Sequence, residues 1–183
     1  MSEIAERYRN VAAQFTARVE AVPADAWDNP APCDGWVARD VVGHLVEWLP
    51  AFFFGTWDIE AEPIPSPATE PARSWAVLNE TIQRALDDPA VAQSERDVRF
   101  GRASFESTID MICTADVLIH TWDLARATGL DETLDAAEVH RFVDSMEPMD
   151  QMLRDSGQYG PRVPVGPDAD EQTRLIAFLG RQP

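Results

Sequence analysis

Apolar residues recur every three or four positions along four long stretches of this chain, and no stretch alternates with period two for long enough to build a sheet. That pattern calls for helices packed on helices. Ile4, Val11, Phe15 and Val19 set the rhythm of a helix from about Ser2 to Ala21. A loop follows, broken by Pro23, Pro30, Pro32 and Gly35. A second helix is expected from near Val37 to about Thr56, bending near Pro50. Asp40 stands where a carboxylate reaches back to the first backbone amides, and Trp36 and Val41 have the spacing of a hydrophobic staple. Val37 offers no capping oxygen of its own. After the proline-rich "EPIPSPATEP", Trp75, Leu78, Ile82 and Ala85 mark a third helix from about Ala72 to Leu86. The segment "DDPAVAQSERDVRFGRA" reads mostly as loop. A fourth, long helix is expected from Phe105 to Thr128, stopped by Gly129. A further helix from about Ala136 to Asp155 is interrupted at Pro148, "GPRVPVGP" is extended, and the last helix lies within "DADEQTRLIAFLG". No repeat appears. The expected fold is all-α: a four-helix bundle with additional C-terminal helices, one domain over residues 1–183.

Charge narrows the partners. The formal net charge is −17, which argues against nucleic acid and against anionic membrane surfaces. Every cationic side chain apart from the histidines is arginine; the alanine- and aspartate-rich composition is that of a GC-rich genome. The most apolar run, "LPAFFFGTW", is too short to span a bilayer, and no leader pattern opens the chain. Cys33 and Cys113 are too few for a disulfide framework and read as reduced thiols. The expectation is a cytoplasmic protein.

The stretch "TADVLIHTWDLARATG" carries the unusual chemistry. Asp116 and His120 stand four apart and stack on one helix face, and Asp123 stays on that side. Ile112, Ala115 and Ile119 flank this face, so charge there needs a partner. In "VVGHLVEW" the second helix directs His44 inward among Val41, Leu45 and Trp48. A divalent metal held by His44, Asp116 and His120 resolves the cost, with a position left open for water or substrate. Asp123 then accepts an imidazole N–H or a proton of bound substrate. Ordinary hydrogen bonding of each histidine, and an i,i+4 pair between Asp116 and His120, is the competing reading. His140, in "AEVHRF", reads as solvated.

"CDGWVARDVVGHLVEW", "TADVLIHTWDLARATG" and the closing "AFLGRQP" together resemble the mycothiol-dependent maleylpyruvate isomerase metal-binding domain family, part of the DinB-like group of four-helix-bundle metalloproteins. The likeness runs over nearly the whole chain. It implies that His44, Asp116 and His120 bind a divalent metal, most often zinc, with nickel as the alternative. Two positions depart from the family pattern: Asp116 stands where glutamate is usual, and Val37 where a hydroxyl residue is usual. The isomerase also carries a second domain after the bundle, so the resemblance here is to a stand-alone bundle.

An open metal position suggests a leading reading. The metal turns the thiol of a small cofactor such as mycothiol into a thiolate that attacks an electrophilic substrate. Asp123 is the catalytic candidate in that scheme, and Trp122 the candidate to line the cofactor pocket or else to pack in the core. One alternative is a metal-dependent hydrolase with Glu47 as base. Another is a non-catalytic metal- or ligand-binding protein. Trp27, Trp36, Trp48, Trp57 and Trp75 either wall a pocket or fill the core, and Arg39 and Arg126 either meet an anionic ligand or form surface ion pairs. Homodimerisation is expected by analogy with the DinB-like group.

Overall fold

Each of the four long amphipathic stretches becomes a helix, because each has one face to bury and no other element to bury it against. The computed structural model describes residues 2–99, 101–155, 157 and 159–183. In chain order the elements are α1 (Glu3–Ala21), α2 (Ala38–Trp57), α3 (Pro71–Asp87), α4 (Pro89–Ala92), β1 (Glu95–Val98), β2 (Gly101–Ser104), α5 (Phe105–Thr108), a π-helical turn (Ile109–Cys113), α6 (Thr114–Thr128), α7 (Ala136–Met146), a 3-10 turn (Glu147–Met149), α8 (Asp150–Asp155) and α9 (Glu171–Phe178).

Helices α1 and α2 each pack against both α3 and α6, so α1 and α2 face each other across the diagonal of the bundle. Phe15, Leu45, Leu49, Phe53, Trp75, Leu78, Ile82 and Leu124 fill the space between them with almost no exposed surface. The Phe15 and Trp75 rings meet edge to face at 4.6 Å, and the Trp75 indole N–H donates to Thr16 at 2.8 Å. Burying one such large apolar side chain contributes about 1.5–3 kcal/mol. The sum holds α2 and α6 at a fixed separation. Helices α7 and α9 pack on each other beside the bundle. The fold is the expected all-α, DinB-like four-helix bundle with C-terminal additions.

Helix ends follow the sequence signals. Ser2, Asp135 and Asp170 cap α1, α7 and α9 through their side chains. At α2 the Val37 side chain caps nothing, but Asp40 accepts the Val37 N–H at 2.9 Å. The helix continues through Pro50 to Trp57. Gly129 ends α6 in the left-handed region at φ 70°.

Two expectations change. The segment after α3 is not mostly loop: it holds α4 and an antiparallel hairpin, β1–β2, running from the Glu95–Ser104 pair to the Val98–Gly101 pair. Its four-residue strands offer Val98 and Ala103 as their apolar side chains, too few to announce a strand by alternation. The backbone ladder and an Arg102–Glu95 ion pair of 2.9 Å hold it together. The long helix from Phe105 is also not uniform. A π-helical turn over Ile109–Cys113 inserts before α6, shifting the phase of everything downstream by one residue. Among the described residues no helix is long and apolar enough to cross a membrane.

Candidate metal centre

Helix α6 is buried nearly all round, and its polar line faces α2 and the chain's C-terminal segment. Asp116, His120 and Asp123 occupy successive turns of that line, as 3.6-residue periodicity requires. His44 reaches it from α2. The structure brings ligand atoms of His44, Asp116 and His120 within 4.8 Å of one another. His44 Nε2 lies 3.3 Å from Asp116 Oδ2, and His120 Nε2 lies 3.4 Å from Asp116 Oδ1.

The third contact in the line is shorter. His120 Nδ1 stands 2.9 Å from Asp123 Oδ2, an ordinary charge-assisted hydrogen-bond length. The pairs at 3.3 and 3.4 Å are longer. Two ligand atoms each about 2.0–2.1 Å from a tetrahedral ion stand about 3.3–3.4 Å apart. Two imidazoles and a carboxylate are donors that a small divalent cation takes, and here their ligand atoms all lie within 4.8 Å of one another.

Electrostatics point the same way. Carboxylate oxygens face both ring nitrogens of His120, so a neutral imidazole would turn one lone pair towards an anion. Burial pushes His120 towards neutrality, but Asp116 and Asp123 outweigh it and raise its pKa to about 9. Burial likewise pushes Asp116 up, yet His120 and His44 hold it well below the usual carboxylate range. The cluster demands positive charge between its acids, which a proton on His120 or a bound cation supplies.

The surroundings fix each group. The Trp48 indole N–H donates to Asp116 Oδ2 at 3.0 Å. Asp123, 0% exposed, accepts a two-pronged bond from Arg181, Nε to Oδ1 at 2.6 Å and Nη2 to Oδ2 at 2.7 Å. Burial opposes ionisation of Asp123, but His120 and Arg181 keep it below its ordinary value. Cys33 completes this corner, with its sulfur 3.4 Å from Arg181 Nη2 and 3.6 Å from Asp123 Oδ2. Burial first, and then the Asp123 charge, push its thiol up to about 12, so it stays protonated. Gly180 sets Arg181 in place. It has φ +85°, and a Cβ there would stand 2.9 Å from the Gly160 Cα.

The cluster opens on one side. The side chain of His120 is 6% exposed, that of Asp116 21% and that of His44 33%, so a ligand arrives past His44. Trp36 and Trp48 flank this opening, with ring centroids 5.2 and 6.0 Å from that of His44. Trp36 also lies 5.9 Å from the His120 ring at an interplanar angle of 25°.

Other residues singled out in the sequence lie elsewhere. Trp122, two residues past His120 and so about 200° round the helix, is 2% exposed, with the Arg126 guanidinium 4.6 Å over its ring. The wall of the opening is built by Trp36 and Trp48 instead. Trp57 and Trp75 are core residues. Glu47 is exposed. His140 is exposed, 2.9 Å from Glu171 and 3.6 Å from Asp144. Arg39 pairs with Asp28 at 2.8 Å and Arg126 with Glu132 at 2.6 Å. Sequence reasoning left Arg181 without a role and passed over Tyr159. Burial raises the Tyr159 phenol, and the Asp116 charge raises it further, which places it beside the cluster. Both lie far along the chain from α6, and no spacing rule reaches across that distance.

Residues 8–125 match the model of the mycothiol maleylpyruvate isomerase N-terminal domain. Two uncharacterized proteins, from two strains of Mycobacterium tuberculosis, are each 29% identical over 174 residues, covering 91% of this chain and 91% of theirs. No solved structure matches the chain significantly.

Proposed function

The chain belongs to the mycothiol maleylpyruvate isomerase N-terminal domain family, and we propose that it is a zinc-dependent protein using a low-molecular-weight thiol, such as mycothiol, as a transferase or isomerase of electrophilic small molecules. The observation that carries this reading is the convergence of His44 and His120, from two helices, on the two oxygens of Asp116, with ligand atoms of all three within 4.8 Å of one another.

His44, Asp116 and His120 would hold the ion. A divalent ion bound there lowers the pKa of a thiol that joins it, giving a thiolate nucleophile near neutral pH. The protein's own groups prepare the place. Asp123 accepts the His120 Nδ1–H, which turns the Nε2 lone pair into the cluster. Arg181 keeps Asp123 anionic, so Asp123 is a positioning residue whose oxygens are already engaged. Trp48 fixes the Asp116 carboxylate plane, and the exposed edge of His44 is where a thiol enters. A hydrolase using metal-bound water is the second reading; Glu47, its candidate base, is exposed on α2.

Elemental analysis of the native protein beside a His44→Ala variant tests the reading. One zinc per chain in the first and little in the second is expected; equal content in both removes the metal assignment. Turnover of a panel of electrophiles that requires added thiol separates a thiol-dependent enzyme from a metal-binding protein without catalysis.

A further inference from the structure

His120 belongs to two groups of metal-ligand atoms. Asp116 faces its Nε2, and Asp123 faces its Nδ1. On the Asp123 side, ligand atoms of Cys33, His120 and Asp123 also lie within 4.8 Å of one another. This corner already holds a cation. The Arg181 guanidinium donates to both Asp123 oxygens, at 2.6 and 2.7 Å, and its Nη2 lies 3.4 Å from Cys33 Sγ. The segment that carries Arg181 is pinned in place. Arg154 donates to the Gly160 and Phe178 carbonyls, Val163 N–H donates to the Ala177 carbonyl at 2.9 Å, and Gly180 packs against Gly160.

Charge says what else the corner could hold. With the guanidinium in place, Arg181 and Asp123 cancel and Cys33 is a neutral thiol. A divalent ion bound by Asp123 and a Cys33 thiolate cancels equally. Cys33 and His120 Nδ1 must give up their protons to bond such an ion, and both protons pass to solvent. A sulfur, a nitrogen and one carboxylate oxygen suit thiophilic ions such as zinc, cobalt and cadmium, not magnesium or calcium. Without the guanidinium or an ion, the buried Asp123 carboxylate loses its counter-charge. We propose that Cys33, His120 Nδ1 and Asp123 form a second, thiophilic cation site, and that Arg181 fills it with its own guanidinium and so confines a metal ion to the His44 side of His120. The confinement rests on the metal reading above; the corner does not, because neither His44 nor Asp116 belongs to it.

Cobalt(II) is the probe, because a cobalt–thiolate bond gives an intense near-ultraviolet charge-transfer band that nitrogen and oxygen ligands do not give. With cobalt in excess, the native protein should lack the band, Arg181→Ala should show it, and Arg181→Ala/Cys33→Ser should lose it. The band should persist in Arg181→Ala/His44→Ala. A band in the native protein overturns the blocking role of Arg181. A folded Arg181→Ala without the band overturns the site, as does a band that survives Cys33→Ser or disappears with His44→Ala. Should the alanine variant not fold, Arg181→Gln, which keeps an N–H donor for Asp123 but removes the charge, is refolded in cobalt and read the same way. Failure of both variants to fold in excess cobalt also overturns the site, because an ion in the corner would supply the missing charge. A native protein that takes up no zinc removes the confinement with the metal reading, while the cobalt band in the variants still decides the corner.

Discussion

The chain holds two histidine–carboxylate clusters made of the same groups. His120 has Asp116 four residues before it and Asp123 three after; His140 has Asp144 four residues after it and Glu171 from α9. The His120 side chain is 6% exposed and the His140 side chain 63%. Water competes for every group of the second cluster, so its ion pairs add little and fix nothing. In the first cluster His120 and Asp123 are shut away from water, each oxygen has an assigned partner, and the imidazole is held in one orientation. The comparison teaches that imidazole and carboxylate at helical spacing make a solvated patch or a binding site according to what the rest of the fold places over them.

Four experiments break or sharpen that contrast. The largest effect is expected for Arg181→Ala, which strips the partner from a fully buried carboxylate. Urea unfolding should show a loss of about 3–5 kcal/mol. A loss below about 1 kcal/mol would mean that Asp123 is not held as the structure describes. His120→Ala should remove stoichiometric zinc, measured by elemental analysis, whereas His140→Ala should retain it. Next comes Asp123→Asn, which keeps the shape but weakens the acceptor for the His120 Nδ1–H. Zinc affinity, read by chelator competition, should fall about 10- to 100-fold. An unchanged affinity would detach Asp123 from the centre.

The smallest effect belongs to the exposed cluster. Glu171, with Asp144 behind it, raises the His140 pKa above 6.5. A raised histidine contributes stability that is present below its unfolded value of about 6.5 and fades as the pH climbs past it. The native protein should therefore lose a trace of stability between about pH 6 and 8 relative to His140→Ala, and 0.5 M salt, at roughly half the low-salt Debye length, should erase it. A pH dependence that survives salt would show that this cluster, too, is shielded.

Much of this was legible beforehand. The helical faces of α1, α2 and α3 follow from Val11, Phe15, Leu45, Leu78 and Ile82, because burial of a stripe is a local property of the sequence. Gly129 announced its left-handed stop. His44, Asp116 and His120 were suspects because polar groups on apolar faces are costly without a partner. What escaped is equally particular. The β1–β2 hairpin has short, mostly polar strands, which leave no periodicity to read. The π-helical turn over Ile109–Cys113 interrupts a stretch whose apolar spacing reads as one continuous helix. For Trp122 the sequence left pocket wall and core packing both open, and its burial on the far side of α6 places it in the core.

By itself the sequence determined an all-helical bundle, three metal-ligand candidates on two of its helices, and a formal net charge of −17. These are matters of period, composition and residue type, each decided within a few turns of chain. Only the tertiary structure decided that Asp116 would stand between the two imidazoles, that Arg181 would close over Asp123 from 58 residues away, and that Trp36 and Trp48 rather than Trp122 would wall the opening. Such arrangements depend on the separation and rotation of whole helices, which the summed packing of the core sets.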